Sequence, residues 1–427
     1  MYGLREITIS NNIANPMRLL FVTNGIPLPP CGGHLLRAYH QMRLLAAQHQ
    51  VDLIALADST RRNATGTYNI EDYKVRLNEY CTEVDLIPAS KSTRITKLIN
   101  YASIYPSGAV QIIKSALPEA VNKKLQVTHY DAVIFLLADV GISLPKHYAG
   151  LKILDMIDLF SVSFKYYSQT AKGRFEKLRR GLDSLRYTYF ERSVSKNFDK
   201  VLVVAKADIV QYAQVANLLH ADIDWVPHGI AVEEFVRPSK QPPPANEILI
   251  TGDLSHPANV EGVKYFCSEV LPIVLQQLPD AKLTIVGSKP KASILALASD
   301  TVKIISNVPD MKPYLYGAKV SFCGVKLRMG TQTKILEAMA AGLPVVSTTA
   351  GNNGIEGTNG HHLFFSDNPA ELAQSIVQLC TDDTLWQTLS ANARAYVTTQ
   401  FSWEQCVSRL NSIINQSIAK RQKTPIG

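Results

Sequence analysis

Long apolar runs are absent. The longest, around Ala132 to Ala138, is strand-sized, whereas a bilayer-spanning helix needs about 20 residues. Cysteine is sparse and scattered: Cys31, Cys81, Cys267, Cys323, Cys380 and Cys406 form no C-x-x-C pair. That argues for reduced thiols and against a zinc site or a disulfide framework. The opening M-Y-G-L-R-E-I-T-I-S-N-N lacks the apolar core of a signal peptide. These absences together predict a cytoplasmic chain, with peripheral contact at the inner face of a membrane left open. There is no G-x-G-x-x-G fingerprint, which counts against an NAD enzyme, and no Walker loop or G-x-S-x-G elbow. No set of residues has the spacing of a metal site. Formal net charge is +8. No nucleic-acid motif accompanies the charge, so nucleic acid is not an expected partner. An anionic small substrate, an anionic membrane surface or solubility alone would each account for it.

What is present is alternation. The 427 residues suffice for two independent cores. Residues 18–23 read as a buried strand, followed by N-G-I-P-L-P-P-C-G-G, an amphipathic helix over about 34–48 and a strand at 51–56. Strand, glycine loop, helix and strand is how a Rossmann-like domain begins. Further strands are expected at 84–87, 131–137, 152–155 and 200–204, with one long, basic helical segment at about 164–195. P-S-K-Q-P-P-P then reads as a linker, because such a stretch is semi-rigid and cannot join a sheet. Beyond it the alternation restarts, with strands expected at 248–251, 282–286, 302–305 and 320–323. The expected fold class is α/β: Rossmann-like, doubly wound domains at 1–237 and 246–400, joined by a linker at 238–245 and facing a cleft. Ligand is expected at the carboxyl ends of the strands.

The strongest local pattern is R-M-G-T-Q-T-K-I-L-E-A-M-A-A-G-L-P-V-V-S-T, residues 328–348. Gly330 and Thr331 are expected to open a helix whose apolar stripe is Leu336, Met339 and Ala340. Gly342 closes it, Pro344 blocks its continuation, and Val345-Val346 begin a strand. The first turn of a helix carries unpaired N–H groups and a partial positive charge, so it attracts phosphate. Arg328 stands just before that turn, Lys334 follows within it, and Glu337 lies three residues further on the same face. The cations suit a diphosphate, and the carboxylate suits two sugar hydroxyls. The plainer alternative is a solvated Lys–Glu pair worth under ~1 kcal/mol.

K-I-L-E-A-M-A-A-G-L-P-V-V-S-T resembles the signature of family-4 glycosyltransferases, which have the GT-B fold. V-P-H-G-I-A-V-E-E-F (226–235) is similar to the family's V-P-N-G-V-D…F segment, with His228 in place of Asn. I-T-G-D-L-S-H-P-A-N-V-E-G-V-K-Y-F (250–266), L-T-I-V-G (283–287) and F-S-W (401–403) fit as well, so the resemblance covers roughly the last half of the chain. It implies a retaining, metal-independent transfer of a sugar from a nucleoside-diphosphate sugar to a glycan, lipid-linked or small-molecule acceptor, with no cofactor, as in polysaccharide biosynthesis. It implies catalytic roles for Arg328 and Lys334 at the leaving diphosphate. Donor contacts would come from Gly252, Gly330, Thr331 and Glu337, and a glycine loop at the cleft from Gly32 and Gly33. Residues 401–427 would cross back to the first domain.

The chain departs from the family in places. Many members follow the glycine at Gly252 with an Arg and a Lys. Here Asp253, Leu254, Ser255 and His256 follow, so Arg328 and Lys334 are expected to take over the diphosphate. The family's first glutamate would fall at Met329, which puts the contact to the donor sugar in doubt. The glycine-rich loop 349–360 either lines the sugar pocket or forms surface turns. Asp155 and Asp158 resemble an Asp-x-x-Asp stretch of one branch, facing the cleft or capping a helix. Asp139 stands where many relatives carry a histidine, and no general base is named. A GT-B sugar-nucleotide epimerase and a non-catalytic sugar-nucleotide-binding subunit are the rival readings. In residues 165–186, finally, Phe175, Leu178, Leu182 and Leu185 recur at helical spacing among many Lys and Arg. This helix either packs its stripe on the domain or docks on anionic lipid.

Overall fold

The computed structural model describes residues 16–29, 32–57, 70–89, 103–216, 222–237 and 246–423. Contacts divide the chain into two compact units, Met1–Val226 with Val407–Gly427, and Pro227–Cys406.

In the first unit, β1 (Arg18–Thr23), β2 (Gln50–Ala57), β3 (Glu83–Pro88), β4 (Ala132–Leu136), β5 (Leu151–Ile157), β6 (Lys200–Val203) and β7 (Asp222–Trp225) form one sheet. Its order is β3-β2-β1-β4-β5-β6-β7, and every pairing is parallel. β4 is buried at each of its residues and β2 at all but its first, as parallel strands covered on both faces must be. Within this unit Arg37 and Asp155 form a fully buried ion pair at 2.7 Å, and Gln41 Nε2 donates to the same carboxylate oxygen at 3.1 Å. Asp155 is therefore a packing partner of the helix Gly33–Ala46 and faces no open space. Asp158 caps nothing either: Leu159 is the N-cap of the next helix, with no side-chain cap bond.

In the second unit, β8 (Glu247–Asp253), β9 (Lys282–Ser288), β10 (Val302–Ser306), β11 (Val320–Cys323), β12 (Val345–Ser347) and β13 (Phe364–Phe365) pair in the order β10-β9-β8-β11-β12-β13, again all parallel. One face buries Phe266, Phe322 and Trp386 beneath helices. The other buries Leu336, Met339 and Phe401. The strand order reverses between β8 and β11, which is where an open α/β sheet leaves a crevice for ligand.

Three expectations need correction. The basic segment expected as one helix over 164–195 is two, Phe160–Thr170 and Arg174–Ser195, because Gly173 takes an extended backbone (φ −95°, ψ 136°) between them. The boundary expected at 237/238 falls instead between Val226 and Pro227. Residues 227–237 pack into the second unit: Ile230 N–H donates to Phe401 O at 2.8 Å, and Arg237 Nε donates to Ala341 O at 3.1 Å. The expected linker, 238–245, lies outside the described residues. Third, β7 had no counterpart among the expected strands. The helix Trp403–Lys423 begins in the second unit, and from Val407 onward it belongs to the first.

Candidate functional site

β8 ends at the switch point as Thr251-Gly252-Asp253. Gly252 adopts φ +142°, and an ideal Cβ there would lie 2.9 Å from Asn259 Nδ2 and 3.5 Å from Lys334 Nζ. Glycine thus meets two demands at once, an unusual backbone and a close approach by side chains from two helices. Asn259 comes from the helix Pro257–Tyr265; its Nδ2 donates to Asp253 O at 2.9 Å, and its Oδ1 accepts from the Lys334 ammonium. Lys334 and Glu337 come from the helix Thr333–Ala340, whose apolar side, with Leu336 and Met339, is fully buried. These groups line a cavity of about 450 Å³, bounded by the ends of β8 and β9, by Asn307 and Val308 after β10, and by residues 331–334.

The helix opens later than expected. Gly330 has φ +64° and Gln332, the N-cap, has φ −81° and ψ 92°, so neither is helical, and the first helical residue is Thr333. The N–H groups of Ile335 and Leu336 return to Gln332 O, at 2.9 and 3.4 Å. Those of Thr333 and Lys334 come too early to find a carbonyl within the helix. Gln332 and Thr333 line the cavity, so its wall is the start of that helix.

Of the expected donor and catalytic residues, the structure brings Gly252, Thr331, Lys334 and Glu337 to one cavity. Arg328 and Gly330 are not among the residues lining it. The Arg328 side chain is 60% exposed, and its guanidinium lies 3.9 Å from Asp367. Gly330 belongs to the turn against which the 349–360 loop is seated: a Cβ on Gly354 would meet Gly330 O at 2.2 Å. Gly32 and Gly33 lie in the first unit. Gly32, at φ +82°, is the N-cap of the helix Gly33–Ala46 and would have room for a Cβ, so its backbone angle alone calls for glycine.

The electrostatics follow from burial. Burial pushes the Glu337 carboxyl up to about 7, against the pull of the Lys334 ammonium. Burial also lowers His256, and the charges of Lys334 and Lys291 lower it further, so a neutral imidazole flanks the cavity at neutral pH. Asp253, in the stretch where the resemblance implied cations, accepts from Ser255 N–H at 2.8 Å and Ser255 Oγ at 2.6 Å. Sequence reasoning gave no role to Asn259 and read His256 only as a missing cation. The one local signal for them was the H-P-A-N start of a helix straight after Gly252. Among the described residues no group of three or more His, Cys, Asp or Glu could hold a metal ion, and no helix is long and apolar enough to cross a membrane.

Residues 245–382 match the family model described as glycosyl transferases group 1. A relative from Klebsiella pneumoniae, an uncharacterized 44.6 kDa protein in the cps region, is 21% identical over 420 residues, which cover 92% of this chain and 98% of the relative. Among solved structures, sucrose-phosphate synthase from Thermosynechococcus elongatus superposes with a TM-score of 0.70 at 16% identity, covering 95% of this chain and all of that one. Anabaena HepE in complex with UDP and glucose superposes with a TM-score of 0.60 at 14% identity, covering 94% of this chain and all of that one. With two parallel-sheet Rossmann-like units and the cavity at the switch point of the second, the chain has the GT-B fold, and the part that matches the model for glycosyl transferases group 1, residues 245–382, is the unit that carries the cavity.

Proposed function

We propose that the chain is a retaining glycosyltransferase that takes a nucleoside-diphosphate sugar into the cavity below Gly252. The sugar passes to a glycan, lipid-linked or small-molecule acceptor in polysaccharide biosynthesis. The observation that carries this reading is the convergence of Lys334, Glu337 and the start of their helix on a strand end kept bare by Gly252. Lys334 and the first N–H groups of the helix hold the diphosphate. As the bond from the sugar carbon to the diphosphate breaks, charge grows on the leaving oxygen, and these fixed donors stabilise it without reorganising. Glu337 accepts from the ribose hydroxyls. Arg328 adds its charge from the rim, its exposed pairing with Asp367 being weak enough to give up. Transfer proceeds in excess EDTA, since the protein's own cations meet the diphosphate. The cps-region relative and the complex of HepE with UDP and glucose lend the reading their support.

The test is a thermal-shift panel of nucleoside-diphosphate sugars followed by a transfer assay on those that bind. A ligand at a hundred times its Kd adds about 2.7 kcal/mol, or several degrees in Tm. No shift with any nucleotide sugar would sink the proposal. The absence of cations at positions 253–256 favours one rival, a subunit that binds donor without turning it over. Binding with neither transfer nor donor hydrolysis would select it, and conversion of the donor without any acceptor would select an epimerase.

A further inference from the structure

The helix Arg174–Ser195 keeps its apolar stripe in solvent. Phe175 is 81% exposed, Leu178 63%, Leu182 47% and Leu185 68%, and Tyr189, at 52%, extends the row. The plainer expectation, that this stripe packs on its own domain, is overturned. The helix is nonetheless firmly seated by its other side. Phe190, Glu191, Val194 and Ser195 are buried, and Tyr187 meets the rings of Phe160 and Phe164 of the preceding helix at 5.2 Å each. The exposed row therefore belongs to a packed helix.

Charge frames the row. At 3.6 residues per turn, Arg179 and Arg186 fall along one side of it and Arg174 and Arg192 along the other. The acidic residues nearby are already matched: Glu176 pairs with Arg180 at 2.6 Å and Asp183 with Arg186 at 3.3 Å. Lys172, Arg174, Lys177 and Arg179 are exposed and join no salt bridge among the described residues. On the neighbouring face of the helix, a cavity of about 370 Å³ is lined by Lys165, Arg192, Ser161, Thr188, Gln211 and Gln214. Two cations, hydroxyls and amides in a concave wall suit a phosphate-bearing group.

We propose that this face seats on an anionic lipid bilayer. Phe175, Leu178, Leu182, Leu185 and Tyr189 enter the boundary between headgroups and acyl chains, and the flanking cations meet acidic headgroups. An apolar row bordered by Lys and Arg on both sides is what a helix lying in that boundary requires. An acidic bilayer supplies the apolar depth and the diffuse negative charge together. The proposal does not depend on the donor reading, because its readout is lipid binding. If both hold, the acceptor is lipid-linked.

The full chain is floated with vesicles of phosphatidylcholine alone or with about a third phosphatidylglycerol. The expected result is recovery with the anionic vesicles only, weakening as salt is raised. Arg174→Gln with Lys177→Gln and Arg179→Gln lowers partitioning roughly 100-fold, at about fivefold per cation. Phe175→Ser with Leu178→Ser and Leu182→Ser abolishes it even at low salt. Both variants are checked for an unchanged Tm and an unchanged donor-induced shift, which separates this test from the donor reading. Wild-type protein left behind by anionic vesicles overturns the proposal, as does recovery of both variants equal to that of the wild type. A wild-type dimer that the serine variant makes monomeric, with no vesicle binding by either, assigns the row to a second copy of the chain instead.

Discussion

On the proposed reading Glu337 accepts from ribose hydroxyls, which it does best as a carboxylate, yet burial lifts its carboxyl to about 7. Donor affinity is therefore expected to fall as pH drops below 7, and Glu337→Ala should weaken donor binding by about 1.5–3 kcal/mol in calorimetric titration. If Lys334 meets the leaving diphosphate as proposed, Lys334→Ala should lower kcat more than it raises KM, because that charge grows in the transition state. A change in KM alone would mark Lys334 as a ground-state contact. Glu191, in the first unit, is a second raised carboxyl. Burial is the main cause, opposed by bonds from Ser161 and Phe160, and lifts it from 4.5 to about 7. The folded state then binds a proton that the unfolded state releases between those values. The contribution to stability is full below about 4.5 and is lost as pH rises through 7, an effect of about 3 kcal/mol. Urea unfolding from pH 4.5 to 8 should show that slope, and Glu191→Gln should flatten it. At this scale Gly252, Lys334 and Glu337 were legible because each sits in a short contiguous motif. Asn259 reaches Lys334 across 75 positions, and only the fold closes that distance.

At the scale of elements, the helix Thr333–Ala340 shows what local pattern gives and what it misses. Its apolar stripe and its stop at Gly342 were readable, and Gly342 indeed takes φ +65°. Its start was read too early, because the left-handed turn at Gly330 cannot be told from a helical first turn by composition. Gly342→Ala places a Cβ in that left-handed region, 3.0 Å from Ser390 Oγ. A loss of about 1–2 kcal/mol is expected in denaturant unfolding, and no loss would mean that the turn relaxes. The basic segment was misread for a related reason. A helical period predicts a face but does not say what covers it, and Gly173 breaks the segment where the pattern ran on. β7 escaped notice because D-I-D-W offers two like charges and little apolar pattern in four residues, and it lies at the edge of its sheet.

Across the whole molecule, two doubly wound units were legible from the restart of alternation after residue 245, but the boundary was not. The prolines drew attention to 238–245, whereas the contacts part at Val226. The C-terminal helix shows how far the first unit depends on residues remote in sequence. Val407, Leu410 and Ile414 are buried, Arg409 bonds Asp224 at 2.9 Å and Trp225 O at 2.6 Å, and Arg421 bonds Asp199 at 2.6 Å. Deleting residues 407–427 should cost about 5 kcal/mol from the three apolar side chains alone. The measured result should be a lower Tm or insoluble protein; an unchanged Tm would contradict this account. Ile230 and Ser402 form a parallel bridge, so the segments by which the chain enters and leaves the second unit run side by side. For the first unit, everything between them is an insertion with close-set ends, and closing such a gap costs much the same entropy whatever fills it. The cavity-bearing unit is in this sense a cassette: residues 227–406 could be lifted out, or exchanged for another fold with neighbouring ends, without rethreading the sheet that holds them.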